Sequence, residues 1–95
     1  MVDFNIPDNW EIRYSKYVGD LTLFDRTIYS KNKNELATKR IGERTFITFD
    51  VKKSTPLMIE ISEAKEIIAD IDILEKSSII KIVKEYLTCQ MIVNR

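Results

Sequence analysis

The feature that most limits how this chain can fold is the isoleucine density of its last third. Residues 56–95 hold ten isoleucines: Ile59, Ile61, Ile67, Ile68, Ile71, Ile73, Ile79, Ile80, Ile82 and Ile92. A stretch this apolar must be buried against something. Within it, residues 77–93 predict a helix. Ser77, Lys81, Lys84, Glu85 and Thr88 form a narrow polar strip, while Ile79, Ile80, Ile82, Val83, Tyr86, Leu87, Met91 and Val93 cover the rest of the circumference. So broad an apolar surface packs on more than one side. One sheet face covers part of it, so a second helix or a second subunit is expected to take the remainder, and a homodimer through the C-terminal helix is one expectation.

The residues upstream read as a sheet. Residues 10–18 alternate, with Trp10, Ile12, Tyr14 and Val18 on one side and Glu11, Arg13, Ser15 and Tyr17 on the other, the pattern of a half-buried strand. Gly19-Asp20 is turn material, and residues 21–30 (LTLFDRTIYS) are rich in Thr, Phe, Ile and Tyr, so a hairpin follows. The parity of the apolar residues changes near Phe24-Asp25, where a bulge or an early strand end is expected. Residues 35–41 predict a short helix capped by Asn34 and stopped by Gly42. Residues 44–51 are the clearest strand, with Ile47, Phe49 and Val51 on one face and Arg44, Phe46, Thr48 and Asp50 on the other. Residues 52–56 (KKSTP) close a hairpin.

Residues 57–62 admit two readings. Thr55-Pro56 suits a helix start, and Leu57, Ile61, Ala64, Ile68 and Ile71 form a helical stripe. The alternation of Leu57, Ile59 and Ile61 with Met58, Glu60 and Ser62 favours a strand instead, leaving residues 62–74 as a first helix buried through Ile67, Ile68 and Ile71. The expected fold is therefore α+β, an antiparallel sheet of three to four strands with two C-terminal helices packed on one face.

Ninety-five residues make one domain. Residues 1–9 read as an N-terminal arm anchored by Phe4 and Ile6, residues 10–61 as mainly sheet and residues 62–95 as helical. With 44% hydrophobic and 32% charged residues the chain is expected to fold rather than stay disordered. Lys65, Glu66, Asp70 and Asp72 break the richest apolar stretch before it reaches membrane-spanning length. The first residues do not read as a signal peptide. Cys89 is the single cysteine, which excludes an intramolecular disulfide and fits a cytoplasmic protein.

The residue inventory argues against catalysis. There is no histidine to serve as the commonest general base, no Cys-His pair and no glycine-rich phosphate loop. Asp70, Asp72 and Glu75 lie close in sequence, but a solvated helix end accounts for them. Cys89, among apolar helical residues, reads as a buried small hydrophobe. No cofactor and no metal are expected.

Binding is the better-supported expectation. The formal net charge is zero, yet Lys31, Lys33, Lys39, Arg40, Arg44, Lys52 and Lys53 face only Glu35, Glu43 and Asp50 in the middle of the chain. If Trp10, Ile12, Ile47, Phe49, Leu57, Ile59 and Ile61 face the helices, then Arg13, Tyr17, Arg44, Phe46, Thr48 and Met58 face away. Two readings follow. In the first, the chain is a small non-enzymatic protein-binding module, such as an inhibitor or regulator carried by a mobile element. Its hot spot is then Tyr17, Phe46 and Met58, with Arg44 beside them. In the second, it binds single-stranded nucleic acid through Arg13, Arg44 and Phe46, with Lys31, Lys33, Lys39, Arg40, Lys52 and Lys53 capturing phosphates from the loops.

Residues 57–87, a strand, a helix and a second helix beginning KSSIIKIVKEYL, are similar in outline to ribbon-helix-helix DNA-binding proteins, whose paired strands enter the major groove. That similarity spans a third of the chain, and Met58 and Glu60 stand at its base-reading positions. ISEAKEIIADIDI and the strands before it are similar to the coactivator-like single-stranded DNA-binding fold, four antiparallel strands followed by a dimerising helix. Neither carries a diagnostic motif, and no family is assigned.

Overall fold

The computed structural model describes residues 6–93, and the side chains of residues 6–90. Five strands form one sheet: β1 (Glu11–Tyr14), β2 (Leu21–Phe24), β3 (Leu36–Ile41), β4 (Thr45–Asp50) and β5 (Thr55–Ile61). Their spatial order is β1-β2-β5-β4-β3, and every neighbouring pair is antiparallel. One α-helix, α1 (Lys76–Val93), follows, and short 3₁₀ turns occupy Arg26–Ser30, Lys33–Glu35 and Ala64–Glu66. The α+β class holds. Among the described residues the strands number five rather than three to four, and one α-helix stands where two were expected.

The alternation of apolar residues sets the layers, because successive side chains of a strand point to opposite faces. Leu21 and Leu23 of β2, Ile59 and Ile61 of β5 and Ile47 of β4 point to one face and are buried there with Ile79, Ile80, Val83 and Leu87 of α1. Ile6, from the N-terminal arm, and Trp10, just before β1, join this core, which matches the anchoring role expected of Ile6. Phe4 lies outside the described residues, as do the side chains of Met91 and Val93. The first turn of α1 shares a shallow hollow with Asp8. In its third turn Tyr86 reaches Thr45, at the start of β4. Ile82 and Tyr86 pack against the core as well, so no described Ile, Val, Leu or Tyr of α1 is exposed.

Three local expectations are corrected. Residues 35–41 are not helical: β3 pairs with β4 from Leu36↔Asp50 to Ile41↔Thr45. Two isolated turns of helix are marginal in water, whereas the strand places Ile41 in the core. Gly42, at φ +69, serves the β3–β4 turn rather than a helix end. Residues 62–74 contain only the turn at Ala64–Glu66. Glu63 adopts the left-handed conformation at φ 51, the backbone N–H of Ala64 donates to the Gly19 carbonyl, and the β-branched isoleucines gain little from a helix. Burial was nonetheless legible there, since Ile68 and Ile71 are in the core with Ile67 packed against it. Both outline similarities to DNA-binding folds required a helix in this segment, and it is absent.

The third correction concerns facing. The register of β4 with β5 slips between Thr48 and Phe49, from Thr48↔Met58 to Phe49↔Pro56, so Leu57 is an unpaired bulge residue. It does not face α1. Leu57 joins Phe24 and Ile28 in a second apolar cluster, against which Leu36 and Met58 pack. Val18 and Val51, expected on the covered face, are exposed because both lie beyond the ends of their strands. The parity change at Phe24-Asp25 is a strand end: the Asp25 carboxylate accepts from Thr27 N–H at 2.9 Å and starts the turn Arg26–Ser30.

Candidate functional site

The face of the sheet opposite α1 is built from two in-register rows. Arg40, Phe46, Glu60, Thr22 and Arg13 stand side by side across β3, β4, β5, β2 and β1. The neighbouring row runs Thr38, Thr48, Met58, Phe24 and Glu11 in the same strand order. Strand pairing thereby gathers residues from five separate stretches of chain.

The second row is largely occupied with its own structure. The hydroxyls of Thr38 and Thr48 share a hydrogen bond of 3.0 Å, and Phe24 is buried beneath Ile28 and Leu57. Met58 packs against that cluster, which removes most of it from any partner's reach. Glu11 pairs with Arg26. The first row is open. Phe46 is 38% exposed and lies between Arg40 and Glu60. Arg13, at the far end, holds its guanidinium 5.0 Å from the centre of the Phe24 ring. Tyr29 meets the same ring edge-on at 5.5 Å and is 69% exposed. Phe24 and Tyr29 were not identified from the sequence. The signal that would have found them is the strand end at Phe24, which folds the next residues back onto this face.

The remaining expected residues divide by position. Arg44 lies in the β3–β4 turn and pairs with Glu63 at 3.3 Å. Arg40 curls over the same turn, where its guanidinium donates to the carbonyls of Gly42 (2.9 Å) and Glu43 (3.0 Å). Lys39 takes the parity of Ile47 and therefore belongs to the opposite face. Lys52 and Lys53 lie in the β4–β5 turn, with Lys52 Nζ at 4.0 Å from Glu35. Tyr17 is fully exposed in the β1–β2 loop, outside the sheet. The face thus brings together Arg13, Arg40, Phe46 and Met58, and leaves Tyr17, Lys39, Lys52 and Lys53 elsewhere.

Asp50 is buried at the end of β4, where its carboxylate accepts from Lys31 Nζ (3.2 Å) and from the backbone N–H groups of Lys52 (2.9 Å) and Lys53 (3.3 Å). Burial pushes this carboxyl up. The Lys31 ammonium and the two backbone donors outweigh it and hold the group below its ordinary value of 3.8. Much of the apparent excess of basic charge in the middle of the chain is therefore answered locally: Lys31, Arg44 and Lys52 each face a carboxylate.

Among the described residues no group of three or more His, Cys, Asp or Glu side chains is placed to hold a metal ion. Asp72 pairs with Lys65 at 3.1 Å. Cys89 is exposed, contrary to the burial expected of it, because it shares the outer strip of α1 with Lys81, Glu85 and Thr88. No described helix is long and apolar enough to cross a membrane. No protein-family model matches the chain, and neither a curated protein nor a solved structure matches it.

Proposed function

We propose that this chain is a non-catalytic protein-binding module that receives its partner on the sheet face opposite α1. The observation that carries this reading is Phe46, a large ring left open in the middle of a sheet row with a cation on one side and a carboxylate on the other. An aromatic anchor within a ring of mixed charge is how protein interfaces concentrate their energy. A phosphate backbone would meet Glu60 at the same place.

The test is affinity capture from the source cell with quantitative mass spectrometry. It uses the intact chain, Phe46→Ala, Glu60→Lys and the control Lys81→Ala, whose site lies on the outer strip of α1. A protein retained by the intact chain and by Lys81→Ala, and lost with both sheet-face variants, supports the reading. Equal recovery by all four, or by none, overturns it.

A second reading has an observation of its own. Arg13 above Phe24, with the exposed ring of Tyr29 beside it, is the cation-plus-ring arrangement on which a single-stranded base can stack. Fluorescence anisotropy with a labelled oligothymidine at low salt decides it. Salt-sensitive binding lost in Arg13→Ala and Tyr29→Ala favours nucleic acid, and no binding removes it.

A further inference from the structure

The sheet ends in β1 on one side and in β3 on the other. The β3–β4 ladder includes Val51 N–H donating to the Glu35 carbonyl at 2.8 Å, which continues the register of Leu36↔Asp50. Antiparallel pairs alternate between hydrogen-bonded and non-hydrogen-bonded. Counting on from Glu35, the backbone groups of Ala37, Lys39 and Ile41 point toward β4, and those of Thr38 and Arg40 point away from it. The other junctions agree with this phase: Ser62 N–H donates to the Arg44 carbonyl, which leaves Thr45 and Ile47 of β4 turned toward β3. Among the described residues no strand lies on the outer side of β3, and no side chain is bonded to the backbone of Thr38 or Arg40.

An edge of six residues without Pro or Gly is a template for one more strand. Nature commonly blunts such an edge with lysine, and here the charges choose among occupants. A second copy of β3, paired antiparallel, would bring Lys39 and Arg40 of each chain together, four cations on adjacent strands. Lys33 and Lys53 add positive charge toward the start of β3 and make no ion pair among the described residues. A segment bearing Asp or Glu meets the opposite situation.

We propose that the free edge of β3 takes an extended acidic segment of a partner protein as a sixth strand, with main-chain hydrogen bonds to Thr38 and Arg40 and ion pairs to Lys39 and Arg40. This contact uses backbone rather than the open ring of Phe46, so it stands or falls separately from the sheet-face reading. Strand addition of this kind draws its affinity from the main chain and its selectivity from alternate side chains.

The test uses the full chain, labelled with nitrogen-15, and the end-blocked peptide Thr-Val-Glu-Glu-Val-Thr. With peptide at roughly nine times its Kd, the amides of Thr38 and Arg40 are expected to exchange with solvent about tenfold more slowly, because only the unoccupied tenth exchanges. Thr38→Pro removes an N–H that points outward and also the hydroxyl that meets buried Thr48, so it is made together with Thr48→Val, and that protein should fold and lose the peptide. Lys39→Pro removes an N–H that serves the β3–β4 ladder and should destabilise the sheet, which checks the phase of the edge. Should the double variant fail to fold, N-methylation of the peptide at the residues facing Thr38 and Arg40 asks the same question without altering the protein. Binding should persist in Phe46→Ala. The proposal is overturned by unchanged exchange at both amides, or by equal protection from the same peptide with Lys in place of Glu. Protection of these amides by oligothymidine instead of the peptide, or by raising the protein concentration alone, overturns it as well.

Discussion

Thr45 Oγ1 and Tyr86 OH share a hydrogen bond of 3.0 Å that ties the start of β4 to the third turn of α1. Thr45 is fully buried, so its hydroxyl has no access to water. Tyr86→Phe strands that hydroxyl and is expected to destabilise the fold by about 1–3 kcal/mol, the desolvation cost of an unsatisfied buried group. Thr45→Val in the same background should recover part of the loss, because both partners are then apolar. Urea unfolding of the two single variants and the double variant measures the coupling. Strictly additive losses would mean that the bond contributes nothing.

Gly42 makes a second contact between this turn and α1. Its φ of +69 suits glycine, and a Cβ there would come within 2.7 Å of Gln90 Oε1. An added Cβ must displace the Gln90 amide as well as hold the left-handed backbone conformation. Gly42→Ala should cost about 1–2 kcal/mol and Gly42→Asn less, since asparagine tolerates the left-handed region better. Thermal unfolding of both variants checks the order.

The core should respond most strongly where sheet and helix meet. Ile59, on the central strand β5, and Leu87 of α1 are both fully buried in the same cluster. Ile59→Ala and Leu87→Ala are each expected to destabilise by about 2–5 kcal/mol, the sum of lost transfer energy and the cavity left behind. Exposed Ile73 provides the contrast, and Ile73→Ala should stay within about 0.5 kcal/mol of the parent. Chemical denaturation of the three variants tests the ranking.

Acid should loosen the β4–β5 turn before the rest of the sheet. The Asp50 carboxyl is held below 3.8 by Lys31 and by the backbone N–H groups of Lys53 and Lys52, against the upward push of burial. A carboxylate whose folded value is depressed contributes stability above its unfolded value, and that contribution is lost as pH falls from there through the folded value. Stability of the parent should therefore decline below about pH 4. Asp50→Asn should start lower and show a shallower decline. Identical pH profiles would mean that another carboxylate governs the transition.

The alternation in residues 10–18 and 44–51, the polar strip of α1 and the turn chemistry of Gly19-Asp20 made the class of fold legible. They did so because burial on one face imposes a period, and a period survives in the order of residues. The loop expected over residues 52–56 instead ends at Ser54, because Thr55 and Pro56 already pair with β4. Candidate residues read from the same periods, Arg13, Phe46 and Met58, do share one face of the sheet. The period was silent where the tertiary structure chose between local alternatives. The segment Leu36–Ile41 has the composition of a short helix and is a strand because β4 offers it a ladder of hydrogen bonds and the core offers Ile41 a place. Residues 62–74 have helical spacing and stay irregular because Glu63 turns left-handed and Gly19 pins Ala64. Whether a cation is free or answered, as with Lys31 against Asp50, and whether an aromatic ring is open or covered, as with Phe46 against Phe24, depends on neighbours far away in the chain. Periodicity carries information about faces, and only strand order and register determine which residues meet upon them.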